Sequence, residues 1–547
     1  MSGRAAAPTR RAAYGGPRPG AWVAVALVLL LLVVVRLRLL DIPLERDEGE
    51  YAYAGQLILH GIPPYRLIYN MKLPGAYAAY ALILALFGQT ARGVHLGFLL
   101  VAVATTVLMF MAARRLLGAR SGAVAAATCG LLSLNPSVLG LAGHSSHLVV
   151  LCGLAGLLAL LAALDAGRRR DYFWSGLLFG LAFLMKQHGL AFVLFGVLAV
   201  LARPRCDVGR QPGRAAAAGL LVAGAAVPLL LTCLVLAAAG VFPSFWFWAF
   251  RYASAYAAEL TPREGTVEFR DAISHIWPGA PLLWGMGVAG LGVLLLDRRW
   301  RPQRSLVGAF ALCSFLAICP GLYFRLHYFL MLLPAVALLV AVLVDWLGRS
   351  LAVAGLRRTG PALAAALFVS ATLVTLAGQS ALLFRATPVQ VCRALYDGNP
   401  FPEARDIARH IAARSSPGER IAVLGSEPEI CFYANRLSAT GHIYMYGLME
   451  RQPYARTMQR QAIREIEASA PAWVVLVNVP SSWALRPWSE RAILDWYPRY
   501  VEERYRQVGL VEIRSPDEPW STWGDSLPVA DARSPLFVRV FRRKSPA

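Results

Sequence analysis

Charge is scarce in this chain, and lysine is nearly missing. Of its 547 residues 16% are charged, against 57% hydrophobic, and the mean hydropathy is +0.51. Soluble proteins carry about 25% charged residues, so a string of soluble domains is excluded. Acids number 32 against 54 Lys plus Arg, a net charge of +22 that in a soluble protein would suggest nucleic acid. Here the arginines fall in short clusters between apolar runs rather than along one face, and nucleic acid is excluded as a partner. No CxxC pair occurs. Of the eight cysteines, Cys129, Cys152, Cys233, Cys313 and Cys319 sit in apolar runs and Cys206 in a short basic loop. That distribution excludes a disulfide scaffold and a thiolate metal site, leaving Cys392 and Cys431 where a disulfide could form. The turn after RIAVLG reads GSEPE and lacks the GxGxxG of a dinucleotide site.

Long apolar runs are abundant. They recur at 21–40, 93–113, 121–137, 148–164, 173–185, 189–202, 215–240, 281–296, 305–319, 329–347 and 361–384. As helices these span or nearly span a hydrocarbon layer, which takes roughly 20 residues, and eleven crossings are expected. The first run follows Arg4, Arg10, Arg11 and Arg18 but is too long for a secretory signal, and no small-x-small site follows it. Alternate connections hold the arginines: Arg114 to Arg120, Arg168 to Arg170, Arg203 to Arg214, Arg298 to Arg304, and Arg349 to Arg358. The positive-inside rule places these and the N-terminus in the cytoplasm. The remaining connections, 41–92, 138–147, 186–188, 241–280, 320–328 and 385–547, are then outside. The run Pro74 to Phe87 is too short to span and reads as a juxtamembrane helix. The expectation is a multi-pass protein of the cytoplasmic (inner) membrane, with the lipid bilayer as a partner. Its membrane domain covers residues 1–384 and its extracytoplasmic domain 385–547.

Beyond Arg385 the pattern changes. Helix periodicity at EARDIARHIAARS from Glu403 and QAIREIEAS from Gln461 alternates with strand-like RIAVLG from Arg420, AWVVLVN from Ala472 and LFVRVF near Leu536. That alternation predicts a small α/β domain.

The first outside loop concentrates acids, aromatics and a lysine: Glu45, Asp47, Glu48 and Glu50 are followed by Tyr51, Tyr53, Tyr65, Tyr69 and Lys72. A solvated acidic cap at a helix N-terminus is one reading. The other is a pocket, because Asp47, Glu50 and Tyr51 share one helix face. Lys72, Lys186 and Lys544 are the only three lysines. Lys72 and Lys186 stand at outer helix ends, where a merely topological charge is not expected. They serve either as snorkelling groups or as phosphate contacts.

This loop resembles the GT-C glycosyltransferases, in particular bacterial relatives of the dolichyl-phosphate-mannose protein O-mannosyltransferases and of the aminoarabinose transferase acting on lipid A. The resemblance rests on Asp47-Glu48, Tyr51 and Lys72-Leu73-Pro74, where leucine replaces the middle proline of a Lys-Pro-Pro element. It rests further on FWFWAFRYASAY from Phe245, on GLYFRLHYFLMLLP from Gly321, and on the order of helices and loops. It implies a metal-independent, inverting transfer of a hexose or pentose from a polyprenyl-phosphate donor to a lipid, glycan or protein acceptor outside the membrane. No cofactor or metal is expected. Asp47 is implied as general base, with Glu48 orienting the acceptor or the loop. Lys72, Lys186, Arg251, Arg325 and His327 are implied as contacts of the donor phosphate, and Tyr51, Tyr69, His144 and His147 as lining the substrate pocket. Many relatives carry an acid in the second outside loop, where this chain has LAGHSSHLVV; His144 and His147, three apart, could touch a metal or an acceptor, but a pair of polar helix-capping groups is the commoner explanation. Phosphate leaves readily, so one base suffices, unlike the carboxyl pair of a glycoside hydrolase. The competing reading is a polytopic transporter or flippase, which predicts charged or Gly/Pro-broken helix centres and an internal repeat; neither stands out.

Overall fold

The computed structural model of the chain describes residues 19–203, 212–513, 520–528 and 532–544. The N-terminal arginines Arg4 to Arg18, and Arg205, Cys206 and Arg210, lie outside them. Each of the eleven apolar runs is helical. Among the described residues six helices are long and apolar enough to cross a membrane: Pro19–Arg38, Ala91–Leu117, Ser145–Ala166, Arg214–Ala238, Leu326–Val353 and Gly360–Arg385. A seventh span arises if Pro262–Gly279 and Pro281–Leu296, bent by 112° at their junction, count as one. The protein is a multi-pass membrane protein. The difference from eleven crossings lies in length, because helices such as Ala119–Leu132 and Arg301–Leu316 stop at 14 and 16 residues, short of a 30 Å layer when straight. Pro74–Phe87 is a 14-residue helix, opened by a proline at its first turn after an extended Leu73.

The chain divides into two compact units, each discontinuous in sequence. One comprises 1–38, 98–232 and 260–384, the other 39–97, 233–259 and 385–547.

In the first unit, apolar helices pack through small residues and rings. Gly176 and Gly180, four apart on Arg169–Met185, lie against the backbone of Leu221 and Ala225, so close that a Cβ would overlap their carbonyl oxygens. Small residues at this spacing let membrane helices approach where lipid offers no hydrophobic drive. Phe195 sets its edge on Phe310 at 5.1 Å, deep in the apolar core. Arg36, buried near the end of the first helix, donates to the carbonyls of Gly140 (2.8 Å) and Ser133 (3.4 Å). It thereby pins the turn from which the helix carrying His144 and His147 departs.

The second unit holds a mixed six-stranded sheet built from β1 (Arg420–Leu424), β2 (Leu437–Ser438), β3 (Trp473–Asn478), β4 (Tyr505–Glu512), β5 (Trp520–Trp523) and β6 (Phe537–Arg543). The order is β2-β1-β3-β6-β4-β5. β1 runs parallel to β2 and β3, and the remaining pairs are antiparallel, with Val475 opposite Val540 at the centre. Helix Phe401–Ala412 buries Phe401, Ala404, Ile407, Ala408 and Ile411, the stripe expected of an amphipathic helix. The expected α/β alternation is present, whereas β2, β4 and β5 were not anticipated. Cys392 and Cys431 are buried free thiols.

Candidate functional site

Helix Arg46–Leu59 is the scaffold of the site in the second unit. Glu45 caps its N-terminus: its side chain accepts from the Glu48 amide at 2.9 Å, while Glu48 accepts from the Glu45 amide at 3.3 Å. This is a reciprocal capping box. It turns Glu48 inward, onto His95 at 3.1 Å and almost fully buried. Asp47, Glu50 and Tyr51 are left on the opposite face, as the i, i+3, i+4 spacing requires. The helix is wedged tightly on both sides. Gly49 and Gly55 lie against Glu429 and the backbone of Tyr80 and Ala81, where a Cβ would come within about 2.8 Å.

Lys72 reaches this face from the loop before Pro74–Phe87. Its ammonium lies 2.6 Å from Asp47 Oδ1 and 2.6 Å from Glu50 Oε2, and it stands 4.4 Å from the ring centre of Tyr51. Tyr77 donates to the other Glu50 oxygen at 2.5 Å. Two features aim the lysine. Tyr65 donates to the Lys72 carbonyl at 2.7 Å, and Tyr65 itself is buried with φ +66, a left-handed conformation costly for a bulky residue. Such strain persists only where surrounding packing over-determines it, here the rings of Tyr77 and Phe245.

Exposure sorts the three ionic groups. The Glu50 side chain is wholly enclosed, whereas those of Asp47 and Lys72 are 20% and 17% exposed, so the open side of the cluster is the Asp47 and Lys72 side. Burial pushes the Glu50 carboxyl up, against the pull of Lys72. Burial alone would depress Lys72, but the charges of Asp47 and Glu50 outweigh it and hold the ammonium well above its ordinary value. Lys72 is thus a fixed cation under partial desolvation, where charge acts more strongly than at a free surface.

The C-terminal segment completes the site. Tyr444 donates to the Arg46 carbonyl (2.9 Å) and to Asp47 Oδ1 (3.4 Å), and its ring centre lies 5.5 Å from Lys72 Nζ. Arg46 in turn donates to the Ser426 carbonyl at 2.7 Å and pairs with the buried Glu427 at 3.2 Å. Tyr69 stacks on Trp248 at 5.5 Å with 5° between the rings. Arg251, by contrast, is exposed, and its side chain makes no hydrogen bond or ion pair among the described residues. Tyr444 is the residue that sequence reasoning missed, and IYMYG gave no signal for it. Glu50 was placed on the Asp47 face, but its pairing with Lys72 was not foreseen.

The first unit gathers the other residues picked out from sequence. Lys186, just beyond helix Arg169–Met185, stands 3.4 Å from His327 Nε2 and 4.0 Å from the ring centre of Tyr328. The His327 ring stacks on His144 at 4.2 Å. His144 occupies the N-cap position of Ser145–Ala166, but its side chain forms no cap bond. His147 faces the edge of Phe98 instead. Arg325 lies over Tyr323 and follows a strained stretch in which Leu322 and Phe324 have φ of +59 and +43.

A family model described as dolichyl-phosphate-mannose-protein mannosyltransferase matches residues 72–240. The whole chain is similar in structure to ArnT from Cupriavidus metallidurans bound to undecaprenyl phosphate, with a TM-score of 0.55 and 19% identity over 96% of this chain and 98% of that one. It is also similar to the oligosaccharyltransferase AglB from Archaeoglobus fulgidus in complex with an inhibitory peptide and a dolichol-phosphate, with a TM-score of 0.53 and 13% identity over 93% of this chain and 75% of that one. The fold is that of the GT-C glycosyltransferases. No curated protein sequence matches the chain. The GT-C likeness runs through both compact units, since the ArnT alignment covers nearly all of both chains.

Proposed function

We propose that the protein is a membrane glycosyltransferase that takes a sugar from a polyprenyl-phosphate carrier and hands it, with inversion, to a lipid, glycan or protein hydroxyl on the outer face of the cytoplasmic membrane. The observation that carries this reading is Lys72 held between Asp47 and Glu50 with only the Asp47 and Lys72 side open. Asp47 accepts the proton of the acceptor hydroxyl as its oxygen bonds to the anomeric carbon. The bond from that carbon to the phosphate oxygen breaks, and the polyprenyl phosphate leaves with the electron pair. Lys72 meets the negative charge that gathers on the leaving oxygen. Glu50, wholly enclosed and spent on Lys72 and Tyr77, fixes Lys72 and does not face the acceptor. Glu48 orients the helix start through its capping box and His95.

In the first unit Lys186, Arg325 and His327 are proposed contacts of a lipid phosphate, on cationic character and family resemblance. Arg251 is a weaker candidate, being exposed and unpaired among the described residues. Residues 385–547 are proposed to be extracytoplasmic and to help shape the acceptor side, which the hydrogen bond from Tyr444 to Asp47 supports.

The reading is tested by incubating purified protein in proteoliposomes with a panel of radiolabelled polyprenyl-phosphate sugars and following label into lipid, glycan and protein fractions. Transfer that requires Asp47 supports it. Vectorial movement of the carrier without transfer would instead favour a flippase.

A further inference from the structure

Away from the Asp47 and Lys72 cluster, the α/β part of the second unit holds a cavity of about 150 Å³ on one face of its sheet. One water needs roughly 10–15 Å³ measured this way, so a small polyatomic group fits with its solvent. One row of residues across the sheet forms the floor. Trp473 on β3 stands opposite Arg542 on β6, and Arg542 stands opposite Arg506 on β4. Residues directly opposite share a face, so the two arginine side chains leave the sheet next to each other.

The walls are fixed by packing. The guanidinium carbon of Arg542 lies 5.3 Å from the ring centre of Trp473, whose indole N–H donates to Glu419 at 3.3 Å. His410, on helix Phe401–Ala412, stacks on Trp523 of β5 at 3.8 Å with 15° between the rings. Gly509 makes room for that indole, since a Cβ there would lie 2.3 Å from it. The chain after β5 is tied back to β4, with the Gly524 amide on the Val508 carbonyl at 3.0 Å and the Leu527 amide on that of Gln507 at 2.8 Å. Arg414 enters from the turn that ends the helix, its own amide donating to the Ile411 carbonyl at 3.0 Å.

Three arginines from three elements thus converge on one cavity. Arg414, Arg506 and Arg542 are exposed, and their side chains make no hydrogen bond or ion pair among the described residues. A merely solvated face pairs or disperses its charges, as Arg499 does with Glu503 at 2.7 Å and Arg409 with Asp406 at 2.9 Å elsewhere in the domain. Like charges directly opposite each other weaken an antiparallel pair, so the Arg506 and Arg542 pair costs stability until an anion joins it. Asp525 is the one acid of the lining and forms no ion pair with any of the three among the described residues. Burial, followed by the Arg414 charge, lowers His410 to about 4, so its ring is neutral at physiological pH. Three guanidiniums against one carboxylate leave the lining with two positive charges.

We propose that this cavity is a binding site for a phosphate monoester group, held by Arg414, Arg506 and Arg542. Such a group carries about −1.5 to −2 charges at pH 7 and three acceptor oxygens. It therefore matches the charge of the lining and offers an oxygen to each guanidinium, the side chain best shaped to bind phosphate in a fixed geometry. A carboxylate brings a single charge and leaves one arginine unanswered. Inorganic phosphate, a phosphorylated sugar and a lipid headgroup share this chemistry. The inference does not rest on the glycosyltransferase reading, because no residue of the cavity belongs to the Asp47 and Lys72 cluster.

The test uses the full-length protein in phosphatidylcholine nanodiscs and measures, by calorimetry, the binding of inorganic phosphate, glucose phosphate, glucose and glucuronate. Phosphatidic acid mixed into the nanodisc is the lipid arm, read by the glucose phosphate it displaces. At least one phosphate arm is expected to bind saturably and more tightly than glucuronate, glucose not at all, and the arm that binds best tells the source of the phosphate. Arg506→Gln and Arg542→Gln should each weaken that binding about 10- to 100-fold, the loss of one hydrogen bond to a charged group. Both relieve the opposed pair, so the ligand-free melting temperature should hold or rise. Arg414→Gln, outside the sheet, should give the same loss of binding without touching any strand. Arg460→Gln, at an exposed arginine away from the cavity, should change nothing. Phosphate held at Lys72 would bind equally in all of these variants, and that outcome overturns the site. Glucuronate that binds as tightly as glucose phosphate overturns the phosphate class, and a wild type that binds no phosphate arm overturns the proposal as a whole.

Discussion

Lys72 and Asp47 meet at 2.6 Å although 25 residues and a change of helix separate them. Neither is sealed in, so an acceptor hydroxyl and a phosphate can both approach. Asp47→Asn keeps the shape and removes the proton acceptor, and is expected to lower single-turnover transfer by roughly a hundred- to ten-thousand-fold while donor affinity changes little. Wild-type turnover in this variant would move the base to another group, with Glu48 the next to test.

Removing Lys72 has two effects that a second substitution separates. Lys72→Met leaves the enclosed Glu50 without its cation, and breaking a buried pair in this way costs up to about 3–5 kcal/mol, less where Glu50 takes up a proton. The melting temperature should fall. Lys72→Met combined with Glu50→Gln should regain it without regaining transfer, and Lys72→Arg should recover part of the rate. Recovery of transfer in the double variant would make Lys72 a structural group and nothing more.

Stability should depend on pH through Glu45. Burial, followed by the charges of Asp47 and Glu48, holds its carboxyl well above the ordinary 4.5. An acid with a raised folded pKa binds its proton more tightly in the native state, so its contribution is full below the unfolded value and is lost as pH rises through the folded one. Glu45→Gln removes the ionisation. The difference in melting temperature between variant and wild type should therefore shift in the variant's favour as pH climbs from 4.5 to 8. Parallel curves over that range would sink the assignment.

The topology is testable with single cysteines on a background stripped of the eight native ones. Arg409→Cys should react with an impermeant thiol reagent from outside, whereas Arg120→Cys and Arg298→Cys should not; all three positions are exposed. Outside labelling at Arg120 would reverse the loop assignment and make Pro74–Phe87 a span.

Much of the site was legible because it is local. Asp47, Glu50 and Tyr51 share a face by helix period alone, and Pro74 announces the helix that Lys72 precedes. Glu50 was noted on that face but its pairing was not foreseen, since an i+3 neighbour carries no hint of a lysine 22 positions on. Tyr444 sits in an aperiodic stretch between strands. β2 has two residues and β4, YRQVGLVE, is polar with a glycine at its register shift, so neither offers the alternation by which strands are read.

Sequence by itself determined the membrane class, the eleven helical runs and the alternation of helix and strand after Arg385, because each follows from composition and short-range period. It also determined which groups could do chemistry, through the scarcity of lysine and the cluster of acids after the first helix. Tertiary structure decided which of those groups meet. The pairing of Lys72 with Asp47 and Glu50 and the stacking of His144 on His327 join segments far apart in the chain. Such contacts depend on how loops close and side chains pack in three dimensions, and no local period encodes them.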